Sequence, residues 1–346
     1  MLARFFYRWE QRLAGLSRTE RVVRPFEWGI DWIPPNGHPP DTAPDRIVRD
    51  WVQDVMKDTD AFFTPSPTND YVFTRTPAAV AARGEAGTLS FPSALATPHD
   101  VNNIVHARFF PAKDKRRAVV VLPQWNSDAN GHIGLSRLLA QAGVSALRLS
   151  LPYHDRRMPS ELTRADFIVS SNIARTVQVC RQAVLDTRRA LWWLRDQGYE
   201  NLGLLGTSLG SCLAMLTASH EPLVRAQALN HISPFFADVV WHGLSTSHVR
   251  AALDGHVELE LLRELWRPIS PWSYLERARG RKTLLVYAKY DLTFPVDLSR
   301  KLVDEFSRRG IATSVAVLPC GHYSTGEAPY KFVDAYHLTR FLRRNL

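Results

Sequence analysis

The sequence predicts an α/β fold with a mostly parallel sheet of about eight strands and helices on both faces of that sheet. Three observations lead to this prediction. Beyond about residue 87, apolar runs of strand length alternate with longer segments of helical period, the order expected of parallel strands joined by crossover helices. The segment AVVVL at 118–122 is apolar throughout, as is typical of a strand buried on both sides. With 346 residues, 45% of them hydrophobic, the chain can form a large core.

Within residues 87–346 the predicted elements alternate along the chain. The predicted strands are 89–95, 103–110, 118–122, 144–149, 201–205, 226–229, 283–288 and 312–318. The predicted helices are 132–143, 171–198, a segment that begins at 209, 295–309 and 331–342. Residues 235–279 are helical but irregular, and are rich in aromatic residues and histidine. We therefore expect a catalytic domain over 87–346 that carries a helical lid insertion at about 235–279.

Residues 1–86 are predicted to form an extension that wraps around this domain. Its first segment has apolar residues at helical spacing, with arginines on another side: Leu2, Phe5, Phe6, Trp9, Leu13 and Leu16 against Arg4, Arg8 and Arg12. A Pro- and Trp-rich strap follows at 25–44, and then a short helix at 45–57. The first helix could lie on an anionic membrane surface, but a stripe of this kind more often packs against the protein itself.

Charge, cysteine content and hydropathy exclude several classes of protein. The net charge is +9, but the basic residues are dispersed among acids and no nucleic-acid-binding signature accompanies them, so we expect no nucleic-acid partner. The three cysteines show neither disulfide nor metal-ligand spacing. No apolar run approaches the roughly 20 residues that cross a bilayer. Charged residues interrupt any secretory signal near the start, so we expect a cytoplasmic protein, with peripheral membrane contact through residues 1–17 as an alternative.

The most informative motif is Gly-Thr-Ser-Leu-Gly at 206–210, which stands between a predicted strand and a predicted helix. The pattern Gly-x-Ser-x-Gly places a serine on a strained turn, which requires small residues two positions before and after it. Ser208 would then lie at a helix N-terminus, where the amide of Leu209 could stabilise an oxyanion. The sequence therefore predicts that Ser208 is a nucleophile.

A serine hydroxyl needs an imidazole to accept its proton and a carboxylate to orient that imidazole. Asp291 follows the predicted strand 283–288, and His322 follows the predicted strand 312–318. Asp238 is an alternative candidate for the acid. His231 and His242, which we assign to the insertion, and His337 are weaker candidates for the base. Cys212 and Cys320 could suggest a thiol mechanism, but we expect both to be buried hydrophobic residues.

With the order Ser208, Asp291, His322, residues 87–346 resemble the α/β-hydrolases, in particular bacterial esterases and dienelactone-hydrolase-like or acyl-peptidase-like members. The segments PFEWG at 25–29 and LPQWN at 122–126 resemble the abhydrolase-domain-containing-18-like group. The resemblance implies that Ser208 is the nucleophile, His322 the general base and then acid, and Asp291 the orienting carboxylate. One departure is Ala288, where the family often has glycine three positions before the acid.

The loop after strand 118–122 should supply a second oxyanion donor, from the amide of Trp125 or of Gln124. Trp125 could equally form part of the pocket wall. Tyr153 and His154 follow the next strand at the same sheet edge and are expected to contact substrate, as an alternative to a role in packing. Arg156 and Arg157 could bind a substrate anion or meet solvent.

The predicted function is a serine hydrolase that cleaves a small-molecule acyl substrate, a carboxylic ester, through an acyl-enzyme on Ser208. A peptidase, amidase or thioesterase would use the same residues. A non-catalytic or membrane-associated binding module is the alternative from another class. No cofactor and no metal are expected, because no motif for either is found.

Overall fold

The computed structural model describes residues 2–16, 21–35, 39–77 and 84–346. Nine strands form one sheet in these residues: β1 (Val72–Arg75), β2 (Gly87–Pro92), β3 (Ile104–Phe110), β4 (Arg117–Leu122), β5 (Ser145–Leu149), β6 (Asn201–Thr207), β7 (Val224–Asn230), β8 (Lys282–Ala288) and β9 (Thr313–Leu318). Their order is β1-β2-β3-β5-β4-β6-β7-β8-β9. The pairs β1/β2, β2/β3 and β3/β5 are antiparallel, and the remaining pairs are parallel. The predicted fold class is confirmed.

The sheet has one strand more than the eight predicted, because β1 comes from the segment predicted as an extension. All four of its side chains are exposed, so β1 has no alternation of buried and exposed residues from which a strand could be recognised. It pairs with β2 in register from Val72 with Ser90 to Arg75 with Gly87. Part of residues 1–86 therefore belongs to the sheet itself.

The helices cover both faces of the sheet. In the described residues they are α1 (Leu2–Leu16), α2 (Pro44–Lys57), α3 (Thr59–Phe62), α4 (Ile133–Gln141), α5 (Ile173–Asp196), α6 (Leu209–His220), α7 (Phe236–His242), α8 (Ser247–Leu253), α9 (Leu259–Leu265), α10 (Val296–Arg308) and α11 (Tyr330–Asn345). Val120 and Leu122 of β4 belong to one buried cluster with α5 and α6. Val119 and Val121 belong to the opposite cluster with α1, α4 and α11. The strand is thus buried on both faces, as its composition predicted.

Helix α1 packs against the protein on a face that includes only part of the predicted apolar stripe. Phe6, Glu10 and Ala14, each four residues apart, are buried, whereas Phe5 and Leu16 of the predicted apolar stripe are largely exposed. The Phe6 ring stacks on Tyr290 with centroids 4.6 Å apart. Membrane contact through the exposed residues stays a prediction. In the described part of the chain, no helix combines the length and the apolar character needed to cross a membrane.

The strap and the insertion both pack against the part of the chain that forms the sheet. The backbone of Glu27 pairs with the start of α5, donating to Ser171 O at 3.2 Å and accepting from Ile173 N at 3.0 Å. The insertion at about 235–279 consists of the short helices α7, α8 and α9 and of 3-10 turns at Leu244–Thr246, Arg267–Ile269 and Pro271–Ala278. Phe236 and Val240 of α7 form part of the wall of a cavity of about 780 Å³.

Candidate active site

Ser208 lies on a strained turn between β6 and α6. Its φ of 57° and ψ of −120° are a backbone conformation that residues with side chains rarely adopt. A Cβ on Gly206 would lie 2.1 Å from Gly210 O, and one on Gly210 would lie 2.2 Å from Leu122 O. Both glycines of the motif are therefore required by close backbone approaches, and the turn presents the Ser208 hydroxyl at the carboxyl edge of the sheet.

Three side chains that are distant in sequence meet at this edge. His322 Nε2 lies 3.1 Å from Ser208 Oγ, and His322 Nδ1 lies 2.9 Å from Asp291 Oδ2. Phe294 stacks on the imidazole with centroids 5.3 Å apart and planes 4° from parallel, which holds the ring in orientation. The geometry thus brings together the hydroxyl, imidazole and carboxylate that the sequence selected.

Asp291 uses both carboxylate oxygens. Oδ1 accepts hydrogen bonds from the backbone N–H groups of Thr293 and Phe294 at 2.8 and 2.7 Å, so this oxygen is bound to the backbone of the loop that follows Asp291. Oδ2 accepts from His322 and from a second imidazole, that of His231, at 3.0 Å. Burial alone would raise the pKa of Asp291, but the two imidazoles hold it well below its usual range, so the group is an anion.

His231, which the sequence analysis assigned to the insertion as a weaker candidate base, lies in the site itself. It follows β7 directly, is buried, has a φ of 55°, and its ring lies 4.6 Å from that of His322. Burial lowers its pKa, so the ring is neutral and donates its Nδ1–H to Asp291. Its place after the strand beside β6 was the available signal, since the ends of parallel strands share one edge.

Neighbouring carboxylates outweigh the effect of burial on the pKa of His322. Burial would lower the pKa of His322, but the Asp291 carboxylate and the more distant Glu10 carboxylate raise it, and the net shift is upward. A raised pKa makes the ring a stronger acceptor for the Ser208 proton.

The loop after β4 is held rigidly beside Ser208. The Trp125 indole donates to Ala165 O at 2.8 Å, and the Asn126 side chain accepts from Ala165 N at 2.8 Å. The amide of Asn126 is occupied by His154 Nε2. Among the described residues no acceptor is found for the amides of Gln124, Trp125 or Leu209, and all three residues line the cavity. Both predicted candidates for the second oxyanion donor thus remain available.

A cavity of about 780 Å³ opens onto Ser208 and His322. Its wall is largely apolar and includes Trp125, Leu135, Leu138, Val169, Leu209, Phe236, Val239, Val240, Phe294 and Phe332. A cavity of this size and lining is typical of a small-molecule site.

Comparison with known proteins agrees with this architecture. The sequence profile of the family described as "Alpha/beta hydrolase domain containing 18" matches residues 88–269, which is more than half of the chain. The chain belongs to this family. The predicted resemblance to this family is confirmed, and the matched range includes LPQWN at 122–126, whereas PFEWG at 25–29 lies outside it.

Solved structures share the fold at low sequence identity. An acetyl xylan esterase from Paenibacillus sp. R4 superposes with a TM-score of 0.62 at 14% identity, over 91% of this chain and 98% of its own. Acetyl xylan esterase 1 from Thermoanaerobacterium sp. JW/SL YS485 gives 0.59 at 16% identity, over 91% and 96%. The acylaminoacyl peptidase of Pyrococcus horikoshii gives 0.60 at 15% identity, over 75% of this chain and 41% of its own. The chain thus spans about two fifths of that peptidase, and these similarities show the α/β-hydrolase fold of the family.

The structure does not place Tyr153 and His154 where substrate contact requires them. Both side chains are fully buried, and neither lines the cavity. Tyr153 bonds to His99 at 3.1 Å, and His154 holds Asn126 of the loop after β4 at 2.9 Å. Burial lowers the pKa of His154 to about 4, so its neutral ring can accept the Asn126 amide. Both residues therefore have structural roles next to the site. The expected substrate contact of Tyr153 and His154 is corrected accordingly.

The neighbouring arginines have different positions. Arg157 is completely buried in an ion pair with Asp186 at 2.9 Å, so it is not free to bind a substrate anion. Arg156 does not line the cavity either.

The remaining alternatives lie elsewhere or are chemically unsuited. Asp238 accepts hydrogen bonds from both Nε and Nη2 of Arg263. This ion pair does not line the cavity. His242 is exposed and His337 lies on α11, and neither lines the cavity. Burial raises the pKa of Cys212 and of Cys320 to about 12, so both thiols stay protonated near neutral pH.

One group of possible metal ligands occurs in the described residues, namely His231, Asp291 and His322, whose ligand atoms lie within 4.8 Å of one another. The hydrogen bonds from both imidazoles to Asp291 Oδ2 account for this closeness.

Asp334 on α11 leads to a prediction about stability. Its side chain is buried at the cavity wall and accepts a hydrogen bond from Asn230 at 2.8 Å. Burial raises the pKa of Asp334 to about 7, although the Asn230 hydrogen bond opposes this shift. The folded protein therefore keeps a proton that the unfolded chain has already lost, and the carboxyl group destabilises the fold increasingly between about pH 4 and about pH 7.

We expect Asp334→Asn to raise Tm by several degrees at about pH 8 and to change it little at about pH 4, because an amide has no proton to lose. Thermal unfolding at both pH values measures the difference, with the exposed Asp304→Asn as the matched control. Equal shifts at the two pH values would contradict the raised pKa.

Proposed function

We propose that this chain is a serine hydrolase that cleaves carboxylic esters through an acyl-enzyme on Ser208. The observation that carries the proposal is the contact of His322 Nε2 with Ser208 Oγ at 3.1 Å, on a strained turn that opens onto an apolar cavity. The Asp291 contact with His322 Nδ1 at 2.9 Å supports it, because it leaves Nε2 free to accept a proton.

In the proposed first half-reaction, Ser208 Oγ attacks the acyl carbon while His322 Nε2 takes its proton. The carbonyl oxygen gains negative charge and accepts hydrogen bonds from the amide of Leu209 and from that of Trp125 or Gln124. The imidazolium returns the proton to the departing alcohol oxygen as the C–O bond breaks. Asp291 remains an anion throughout and stabilises the imidazolium.

In the second half-reaction, water replaces the alcohol. His322 takes a proton from the water, whose oxygen attacks the acyl carbon, and the proton is then given back to Ser208 Oγ. The products are the free acid and the enzyme in its starting state.

The substrate class follows from the cavity wall. The exposed wall of the cavity at Ser208 is largely apolar, so an apolar acyl or alcohol portion gains free energy by leaving water there. The esterases among the structural neighbours superpose over nearly their whole length, which favours an ester within this reaction class. A peptidase, amidase or thioesterase remains the alternative, as the acylaminoacyl peptidase illustrates.

Labelling with an alkyl fluorophosphonate tests the proposal. Ser208 Oγ should bond to phosphorus as the P–F bond breaks, fluoride should leave, and the proton should pass to His322. We expect mass spectrometry to locate the label on Ser208, and Ser208→Ala to remain unlabelled. A wild-type protein that resists the probe would favour the non-catalytic binding module, and a label on another residue would refute the assignment of Ser208.

Matched substrates separate the hydrolase subclasses. The p-nitrophenyl ester, the thioester and the p-nitroanilide of butyric acid share one acyl group and differ in the leaving group. We expect the rate enhancement over the uncatalysed reaction to be largest for the ester. A larger enhancement for the anilide or the thioester would replace the esterase by an amidase or a thioesterase.

A further inference from the structure

A carboxylate from the first helix is buried against the loop that carries His322. Glu10 of α1 has no solvent exposure. Its Oε2 accepts the amide of Tyr323 at 2.8 Å, while its Oε1 accepts the amide of Ser324 at 2.8 Å and the Ser324 hydroxyl at 2.6 Å. Burying a carboxylate is costly unless it is hydrogen-bonded, and three donors from one short segment offset that cost here.

The same carboxylate also touches the residue before His322. A Cβ on Gly321 would lie 2.2 Å from Glu10 Cδ, so the backbone and the carboxylate are in direct contact. Ser324 Oγ, which donates to Glu10, in turn accepts the Gly321 amide at 2.8 Å. Glu10 thus holds the chain on both sides of His322.

Helix α1 contacts the acid loop as well. Phe6, one turn before Glu10, stacks on Tyr290, which directly precedes Asp291. The Tyr290 amide donates to Cys320 O at 2.9 Å, which ties the acid loop to the histidine loop. The helix therefore lies where both loops can be held at a fixed separation.

From these contacts we propose that Glu10 is a positioning residue of the active site, which fixes the His322 loop so that the imidazole faces Ser208. This inference rests on the proposed function of Ser208 and His322. The inference also assigns to the N-terminal helix a role in completing the site, because the Glu10 carboxylate of α1 stands 313 residues before Tyr323, whose amide it accepts.

Several charged or titratable groups surround His322 and the loop that carries it. They are Asp291 after β8, His231 after β7, Glu10 from α1, and Arg21, whose guanidinium donates to Tyr323 Oη at 3.0 Å. Of the two carboxylates that raise the pKa of His322, Asp291 has the larger effect and Glu10 the smaller. Neutralising Glu10 should therefore lower the pKa of His322 without removing its hydrogen-bond partner.

The test compares full-length Glu10→Gln with wild type on p-nitrophenyl butyrate, at active-site concentrations titrated with the fluorophosphonate. We expect kcat to fall about tenfold or more with little change in KM, because a displaced imidazole weakens proton transfer and leaves the cavity intact. We also expect the acidic limb of kcat/KM to move to lower pH, because His322 then loses its proton more readily.

Two further variants separate the contributions of Glu10. Ser324→Ala removes two hydrogen bonds of the Ser324 hydroxyl, the one it donates to Glu10 and the one it accepts from the Gly321 amide, but it leaves the Glu10 charge. We therefore expect kcat to fall while the acidic limb stays in place. The exposed Glu258→Gln is the matched control and should change neither quantity. A Glu10→Gln enzyme with wild-type kcat and an unmoved acidic limb would overturn the inference. A loss of activity that disappears when rates are divided by the concentration of titrated active sites would overturn it as well. If wild type itself resists the phosphonate, the proposed function fails.

Discussion

Ser208→Ala is expected to lower kcat for ester hydrolysis by about a million-fold, since without the hydroxyl no acyl-enzyme can form. Cys212 lies one helical turn beyond Ser208, but burial keeps its thiol protonated. A protonated thiol cannot replace Ser208 as the nucleophile. The turn is unchanged by the substitution, because its strain is in the backbone and is supported by Gly206 and Gly210. Initial rates over a range of enzyme concentrations, with circular dichroism to confirm folding, measure the effect.

The double variant sharpens this prediction. In the proposed mechanism Ser208 and His322 act as one unit, so adding His322→Ala to Ser208→Ala should lower kcat little further, and the residual rate should be the same within about threefold. Equal and additive losses would mean that the two residues act independently. Retention of more than a thousandth of wild-type kcat in Ser208→Ala would assign the nucleophile elsewhere. The exposed Ser307→Ala offers a matched control of the same chemistry on α10.

The residues that meet at Ser208 were predictable because each has a local signal. Ser208, Asp291 and His322 each follow an apolar run of strand length, and parallel strands bring such positions to one edge. The two glycines of the motif also indicate a tight, strained turn at Ser208, because only residues without a side chain fit on either side of it. Nothing similar marks Tyr153 or His154 as buried, because a polar residue after a strand can face either the cavity or the interior.

Glu10 and β1 show which features the sequence leaves unspecified. Glu10 interrupts an apolar stripe in α1, and its partners are backbone amides of Tyr323 and Ser324, which have no side-chain pattern to read. Strand β1 is held by backbone pairing with β2, and its side chains are exposed to solvent. Hydrophobic periodicity therefore does not predict this strand. Both features depend on contacts distant in sequence, and local composition does not encode such contacts.

The second large effect concerns Asp291→Asn, and it follows from which atoms surround the carboxylate. Two backbone N–H groups, of Thr293 and Phe294, point at Oδ1 and require an acceptor there. An asparagine must therefore turn its carbonyl oxygen toward them, which aims its NH₂ group at the two imidazoles that now donate to Oδ2.

In that arrangement His322 can face the amide only through an unprotonated Nδ1, so its proton moves to Nε2 and the ring can no longer accept from Ser208. We expect kcat at neutral pH to fall about 10⁴-fold, or about 5 kcal/mol of transition-state stabilisation, with KM little affected. Phosphonate labelling, which uses the same proton transfer, should slow in parallel, whereas the exposed Asp297→Asn should change neither rate. A variant that keeps more than a tenth of kcat would show that the amide retains the active tautomer, and that the backbone donors at Oδ1 do not control its orientation.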